Sequence, residues 1–311
     1  MKAFEVLHPG VYTTLQDLGR PGYMKYGIPA SGVADLFSAR VANLLVGNKS
    51  EAALLETTLF RLELRALENL AIAITGGDLS PTLNQAPLPM WRAVPIQKGD
   101  RISFRGRKKG FRAFLAVRGG FSGPRYLGSR SVFSRGLMGH ALKPGDILEV
   151  EDSAVSPLWD TPLPAHLIPD YSFRPALRVI LGPQDDRFSP QGLETFLTSE
   201  YTVSPQSDRM GYRLEGPRIA HLHGADIISE PIARGAVQVP GDGLPIVMLW
   251  DAQVSGGYTK IATVITADHD LLGQTMPGER LRFRKVTLDE AQAALRSKEM
   301  RWAEVERAIA G

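Results

Sequence analysis

The chain has 311 residues, 43% hydrophobic and 22% charged, which suits one large or two medium globular domains and excludes a disordered chain. It has no cysteine, so disulfides, thiolate metal sites, iron–sulfur ligation and cysteine nucleophiles are excluded. A net charge of +3 leaves no strong field for nucleic acid, and 31 glycines with 22 prolines disfavour a helical bundle.

Met1–Pro9 lacks the apolar core of a signal peptide. The apolar runs Leu70–Ile74 and Ile246–Trp250 are too short to span a bilayer, so a soluble cytoplasmic protein without membrane association is expected. Asp35 can N-cap a helix over Leu36–Val46, with Phe37, Val41, Leu44 and Leu45 on one face and Gly47-Asn48 as its stop. Leu59–Leu64 partly alternates and reads as a half-buried strand, while the continuously apolar Leu70–Thr75 reads as a strand buried on both faces. The basic run Arg105-Gly-Arg-Lys-Lys-Gly-Phe-Arg112 lies between strands at Ile102–Phe104 and Ala113–Val117. It is either a solvated hairpin tip or an anion-steering or partner-docking patch.

Five prolines between Ser153 and Pro175 stiffen the chain and mark a domain boundary, giving β-rich domains at 1–155 and 156–311. Beyond it, Val179–Leu181 and Ile261–Ile265 are buried strands. Ser189–Leu197 is a short helix with Pro190 at its first position. Thr287-Leu-Asp-Glu290 is a capping box opening a C-terminal helix whose stripe is Leu288, Ala291, Leu295, Trp302, Val305 and Ile309. A Gly-acid turn before an alternating strand recurs at Gly99-Asp100, Gly145-Asp146 and Gly278-Glu279, which suggests related architecture in the two halves.

The chain has no P-loop, no dinucleotide fingerprint, no G-x-S-x-G and no H-E-x-x-H. His221-Leu-His223 lacks a third ligand and Asp268-His269-Asp270 suits a surface loop, so no metal site is assigned. Chemistry is sought instead in the Gly-polar clusters: Thr13–Gly22, Pro29–Asp35, Gly76–Asp78, Gly119–Phe121 with Leu127–Ser131, Gly182–Asp186, Ser204–Arg213, Gln238–Pro245 and Ser255–Lys260. Each can be a set of turns. Arg and Lys beside glycine loops can also bind carboxylates, phosphates or a ureido carbonyl, with Asp as base or orienter. The loops Ser31–Asp35, Gly128–Ser131 and Ser207–Arg213 are expected to converge on one polar cleft. Asp35, Arg130, Asp208 and Arg209 are the candidate catalytic residues. Ser31, Gly32, Ser129, Ser131, Arg213, Gln238, Tyr258 and Lys260 are the candidate binding residues.

The ordered set His8–Arg20, Gly27–Asp35, Ala42–Asn48, Leu127–Ser131, Ser207–Leu214, Ala236–Pro240 and Gly256–Ala262 resembles the allophanate hydrolase subunit 2 family, also called KipI-antagonist-like or biotin-dependent carboxyltransferase-like. Ala34 and Val254-Ser255 depart from the family's usual residues. The resemblance implies a mainly β chain of two cyclophilin-like β-barrel domains with a few helices. It also implies a KipI-like (allophanate hydrolase subunit 1) partner. Stand-alone members include the C component of ATP-dependent 5-oxoprolinase, which acts with the A component and the KipI-like B component to convert 5-oxoproline to glutamate. On that reading ATP is a co-substrate of the assembled hetero-oligomer, and no tightly bound cofactor is expected. Two alternatives stay open: the carboxyltransferase component of a biotin-dependent urea carboxylase, with carboxybiotin on a separate carrier, and a non-enzymatic KipI antagonist.

Overall fold

The computed structural model describes residues 1–151, 162–171 and 176–310. The chain is mainly β, and among the described residues there are four α-helices: α1 (Leu36–Leu45), α2 (Pro190–Thr198), α3 (His269–Gly273) and α4 (Leu288–Ala310). It divides into two compact units. The first comprises Met1–Arg20, Ser31–Tyr171 and Met300–Gly311; the second comprises Pro21–Ala30 and Ser172–Glu299. The boundary expected at 155/156 lies outside the described residues, as do Pro157 and Pro175 of the proline-rich stretch.

The first unit is built on two antiparallel sheets. The six-stranded sheet runs Ile147–Glu149, Lys2–Pro9, Leu62–Ala66, Arg101–Phe104, Pro81–Leu83, Ala86–Pro87. The five-stranded sheet runs Tyr12–Gln16, Leu54–Thr58, Lys109–Val117, Leu70–Asp78, Ala93–Ile96. Side chains alternate across a strand, so a strand covered on both faces must be apolar throughout. The Ala113–Val117 part of Lys109–Val117 does this: Ala113, Leu115 and Val117 pack with Phe4, Leu64 and Ile102 of the other sheet, while Phe114 and Ala116 pack with Phe37, Val41 and Leu45 of α1. Leu70–Asp78 divides Ile72 and Ile74 from Ala73 in the same way, which explains its unbroken apolar run.

Asp35 caps α1 as its sequence predicts, accepting from the Ser38 amide at 2.9 Å. The strand expected from Leu59 begins only at Leu62. Leu59 and Arg61 sit at φ 62° and 72°, a left-handed turn that alternation cannot reveal.

The second unit is a closed seven-stranded barrel. Its order is Ala176–Leu181, Lys260–Val264, Ala236–Gln238, Ile246–Met248, Gly211–Glu215, Tyr201–Val203, Arg280–Lys285. A parallel pairing of the first and last of these strands closes it. Phe196 of α2, fully buried, stacks on Phe283 with ring centroids 4.4 Å apart; burying such a ring contributes about 1.5–3 kcal/mol. A separate ribbon pairs Asp226–Pro231 with Ser255–Tyr258.

The recurring Gly-acid turns share one geometry. Gly99, Gly145 and Gly278 all have φ between 85° and 92°. The following acid accepts the amide three residues before it: Gln97 to Asp100 at 2.7 Å, Lys143 to Asp146 at 2.8 Å, Met276 to Glu279 at 3.0 Å. The capping box of α4 is also reciprocal, with Thr287 N donating to Glu290 at 2.7 Å and Glu290 N to Thr287 Oγ1 at 3.2 Å. The sequence places this helix on the second domain. In the fold only its part up to Glu299 belongs there, while Trp302, Val305 and Ile309 pack with α1 in the first unit.

Candidate functional site

In the first unit, Asp17 gathers two of the predicted loops. Its Oδ1 accepts from Ser129 Oγ at 2.5 Å, Ser131 Oγ at 2.7 Å and Gly19 N at 2.8 Å; its Oδ2 accepts from Arg130 N at 2.6 Å. Its carbonyl accepts from Val33 N at 3.0 Å, which ties the Ser31–Asp35 loop to the same point. Gly32, at φ 94°, lies where a Cβ would press on the Leu18 carbonyl at 3.0 Å, so glycine is required. Ser31 is buried with a φ of 55°.

Arg130 extends from this hub. Its Nε donates to Gly123 O at 3.2 Å and its Nη2 pairs with Glu151. The side chain lines two clefts, one of about 440 Å³ with Asn48, Lys49, Gly119 and Arg125, the other of about 360 Å³ with Phe121, Tyr126, His140 and Leu142. Asp35, by contrast, is fully buried: it accepts from Ser38 N and Oγ and from Tyr171 Oη at 2.5 Å. Its carboxylate is a cap and a hydroxyl acceptor inside the core. The basic run is also divided. Lys108 faces Asp78 and Lys109 faces Asp170, each at 3.8 Å, while Arg112 is buried against Glu56 at 3.4 Å. Arg105, Lys108 and Lys109 are exposed as a solvated hairpin tip requires, whereas Arg112, within the strand, is not.

In the second unit, Gln238, Tyr258 and Lys260 come together beside the ribbon. Gln238 Nε2 donates to Tyr258 O at 3.4 Å. Lys260, almost fully buried, places Nζ 2.5 Å from Glu230 Oε1. Gln184 joins them, donating to Glu230 at 2.7 Å and accepting from Lys260 N at 3.1 Å. The Lys260 ammonium, then the Gln184 amide, hold the Glu230 carboxyl below its ordinary range. A Cβ on Gly182 would overlap the Lys260 carbonyl, so this glycine sets how closely Gln184 approaches.

The Ser207–Arg213 loop also belongs to the second unit. Ser207 Oγ accepts from Arg213 N at 3.1 Å and Asp208 Oδ1 from Met210 N at 2.7 Å. Arg209 is buried, with Nε 2.8 Å from Asp251 Oδ2. Arg234 lies near this pair and over the Trp250 ring at 5.3 Å; burial, then the Arg209 charge, push it down to about 10.

Sequence reasoning missed Glu230, Asp251, Arg234 and Glu151. Each stands in a stretch with ordinary polarity, and only the barrel and sheet closures bring them to their partners. Among the described residues no group of three or more His, Asp or Glu is placed to hold a metal ion, and no helix is long and apolar enough to cross a membrane.

The chain belongs to the carboxyltransferase-domain family, whose model (subdomains A and B) matches residues 26–285. Among its relatives, the 5-oxoprolinase C subunit of Escherichia coli is 35% identical over 295 residues, covering 93% of each chain. The urea amidolyase of Lachancea kluyveri is 34% identical over 93% of this chain, which spans only 17% of that larger protein. The crystal structure of the K. lactis urea amidolyase superposes with a TM-score of 0.91 at 33% identity, over 99% of this chain and 20% of that one.

Proposed function

We propose that the chain is the C component of an ATP-dependent 5-oxoprolinase, acting with a KipI-like B component and an A component to convert 5-oxoproline to glutamate. The observation that carries this reading is the match to a 5-oxoprolinase C subunit over 93% of both chains. ATP serves as co-substrate of the assembled complex. Opening a lactam places negative charge on its carbonyl oxygen, which cationic and N–H donors must stabilise. Arg130 suits that work, because it lines two clefts with its backbone fixed on Asp17. In the second unit, taken by itself, Lys260 is a separate candidate cation, beside Gln238 and Tyr258, with Glu230 setting its position. On this reading the buried Asp35 and Arg209 support loops, and Asp208, which is exposed, keeps its place as a candidate base.

The test is glutamate formation from 5-oxoproline and ATP by the three reconstituted components, with each omitted in turn. Turnover requires this chain on the proposed reading; undiminished turnover without it would sink the proposal. A second reading is the carboxyltransferase component of a biotin-dependent urea carboxylase. The superposition at TM-score 0.91 on the urea amidolyase favours it. Transfer of carboxyl from a carboxybiotin carrier to urea, with no 5-oxoproline turnover, would establish that reading instead.

A further inference from the structure

The solvent face of the six-stranded sheet carries a cleft of about 810 Å³ that none of the preceding assignments uses. It is lined by Arg61, Arg101, Arg105, His8, Glu63 and Ser103, with Asn84 and Gln85 beside them. Three guanidinium groups thus face one carboxylate, and that carboxylate already lies 3.8 Å from Arg101. Among the described residues Arg61 and Arg105 have no ion-pair partner. His8 Nδ1 accepts from Gly10 N at 3.1 Å, which leaves Nε2 as a donor.

The backbone holds these groups in place. Arg61 sits at φ 72°, where a side chain costs about 1–2 kcal/mol relative to glycine. Its amide bonds to Phe104 O at 2.8 Å, and a Cβ on neighbouring Gly10 would meet Leu62 N at 3.1 Å, so the turn is fixed. Glycine would serve this turn with less strain. Arginine there puts a cation over the cleft.

We propose that this cleft is a binding site for a compact polyanion of the phosphate or pyrophosphate class, gripped by Arg61, Arg101 and Arg105. Guanidinium forks match phosphate oxygens bidentately, and Ser103 and the His8 ring supply neutral donors. The site shares no residue with the Arg130 and Lys260 regions and does not depend on the 5-oxoprolinase reading.

The experiment is calorimetric titration of the full chain with sodium pyrophosphate and, separately, with ATP at low ionic strength. Saturable one-to-one binding of pyrophosphate is expected, at least tenfold weaker in Arg61→Gly and in Arg105→Gln. Binding of ATP as well would identify a nucleotide as a source of the phosphate; binding of pyrophosphate alone would identify a free anion. Arg61→Gly is expected to keep or raise the melting temperature, because glycine relieves the strained turn, so its lost binding cannot come from unfolding. Arg218→Gln removes the same charge from the second unit. An equal loss there would mean general charge attraction and would overturn the proposal, as would absence of saturation by both probes or unchanged affinity in both cleft variants.

Discussion

Arg209 and Arg130 each stand beside a carboxylate, but the Asp251 side chain is 7% exposed and the Glu151 side chain 46%. A buried pair that loses one member leaves an uncompensated charge, costing about 3–5 kcal/mol, whereas pairs open to water contribute about 0–1 kcal/mol. Arg209→Ala is therefore expected to lower unfolding stability by about 3 kcal/mol or more in urea titration. Arg130→Ala should lose about 1 kcal/mol and, in the reconstituted assay, most of the turnover. Similar stability losses in the two variants would refute this division. His269 gives a pH dependence at the same scale. Burial, then the Arg234 charge, push its ring from 6.5 down to about 4, while Lys298 lowers it and the Val264 carbonyl and Asp270 raise it. Between those values the unfolded chain binds the extra proton, so stability is full above about pH 6.5 and declines as pH falls towards 4. The expected loss is on the order of 3 kcal/mol, at about 1.36 kcal/mol per pKa unit. A His269→Gln chain should show a flatter midpoint-against-pH curve over that window.

Local signals carry the elements well. The Asp35 cap, the Ser189-Pro190 start of α2 and the α4 capping box all rest on side chains within three residues of the backbone they serve. The doubly buried strand at Leu70 is legible because both neighbouring layers demand apolar residues. What stays hidden depends on sequence-distant partners: Glu230 beside Lys260, Asp251 beside Arg209, and Tyr171 beside Asp35. Arg61 stays hidden because a left-handed arginine has no pattern of its own. The stripe on α4 is legible, yet its partner is not, since amphipathicity names a face and not what covers it. Val305 and Ile309 fill the α1 cluster of the first unit. Val305→Ala together with Ile309→Ala should cost about 2–5 kcal/mol in that unit. Hydrogen exchange is the measurement, with faster exchange across α1 and Lys109–Val117 expected and the barrel strands unchanged.

At the scale of the molecule, the two units are interlaced along the chain. Pro21–Ala30 leaves the first for the second, and Met300–Gly311 returns from the second to the first. Neither is a continuous piece that could be excised by one cut. The return of α4 also sets an order in time. During synthesis the first 171 residues emerge well before Val305 and Ile309, the side chains that complete their α1 layer. At about 5–20 residues per second, the gap to residue 300 lasts roughly 6–26 s. Through that interval the nascent first unit presents an uncovered apolar face, so its closure waits for Val305 and Ile309 even though its sheets are made more than a hundred residues earlier.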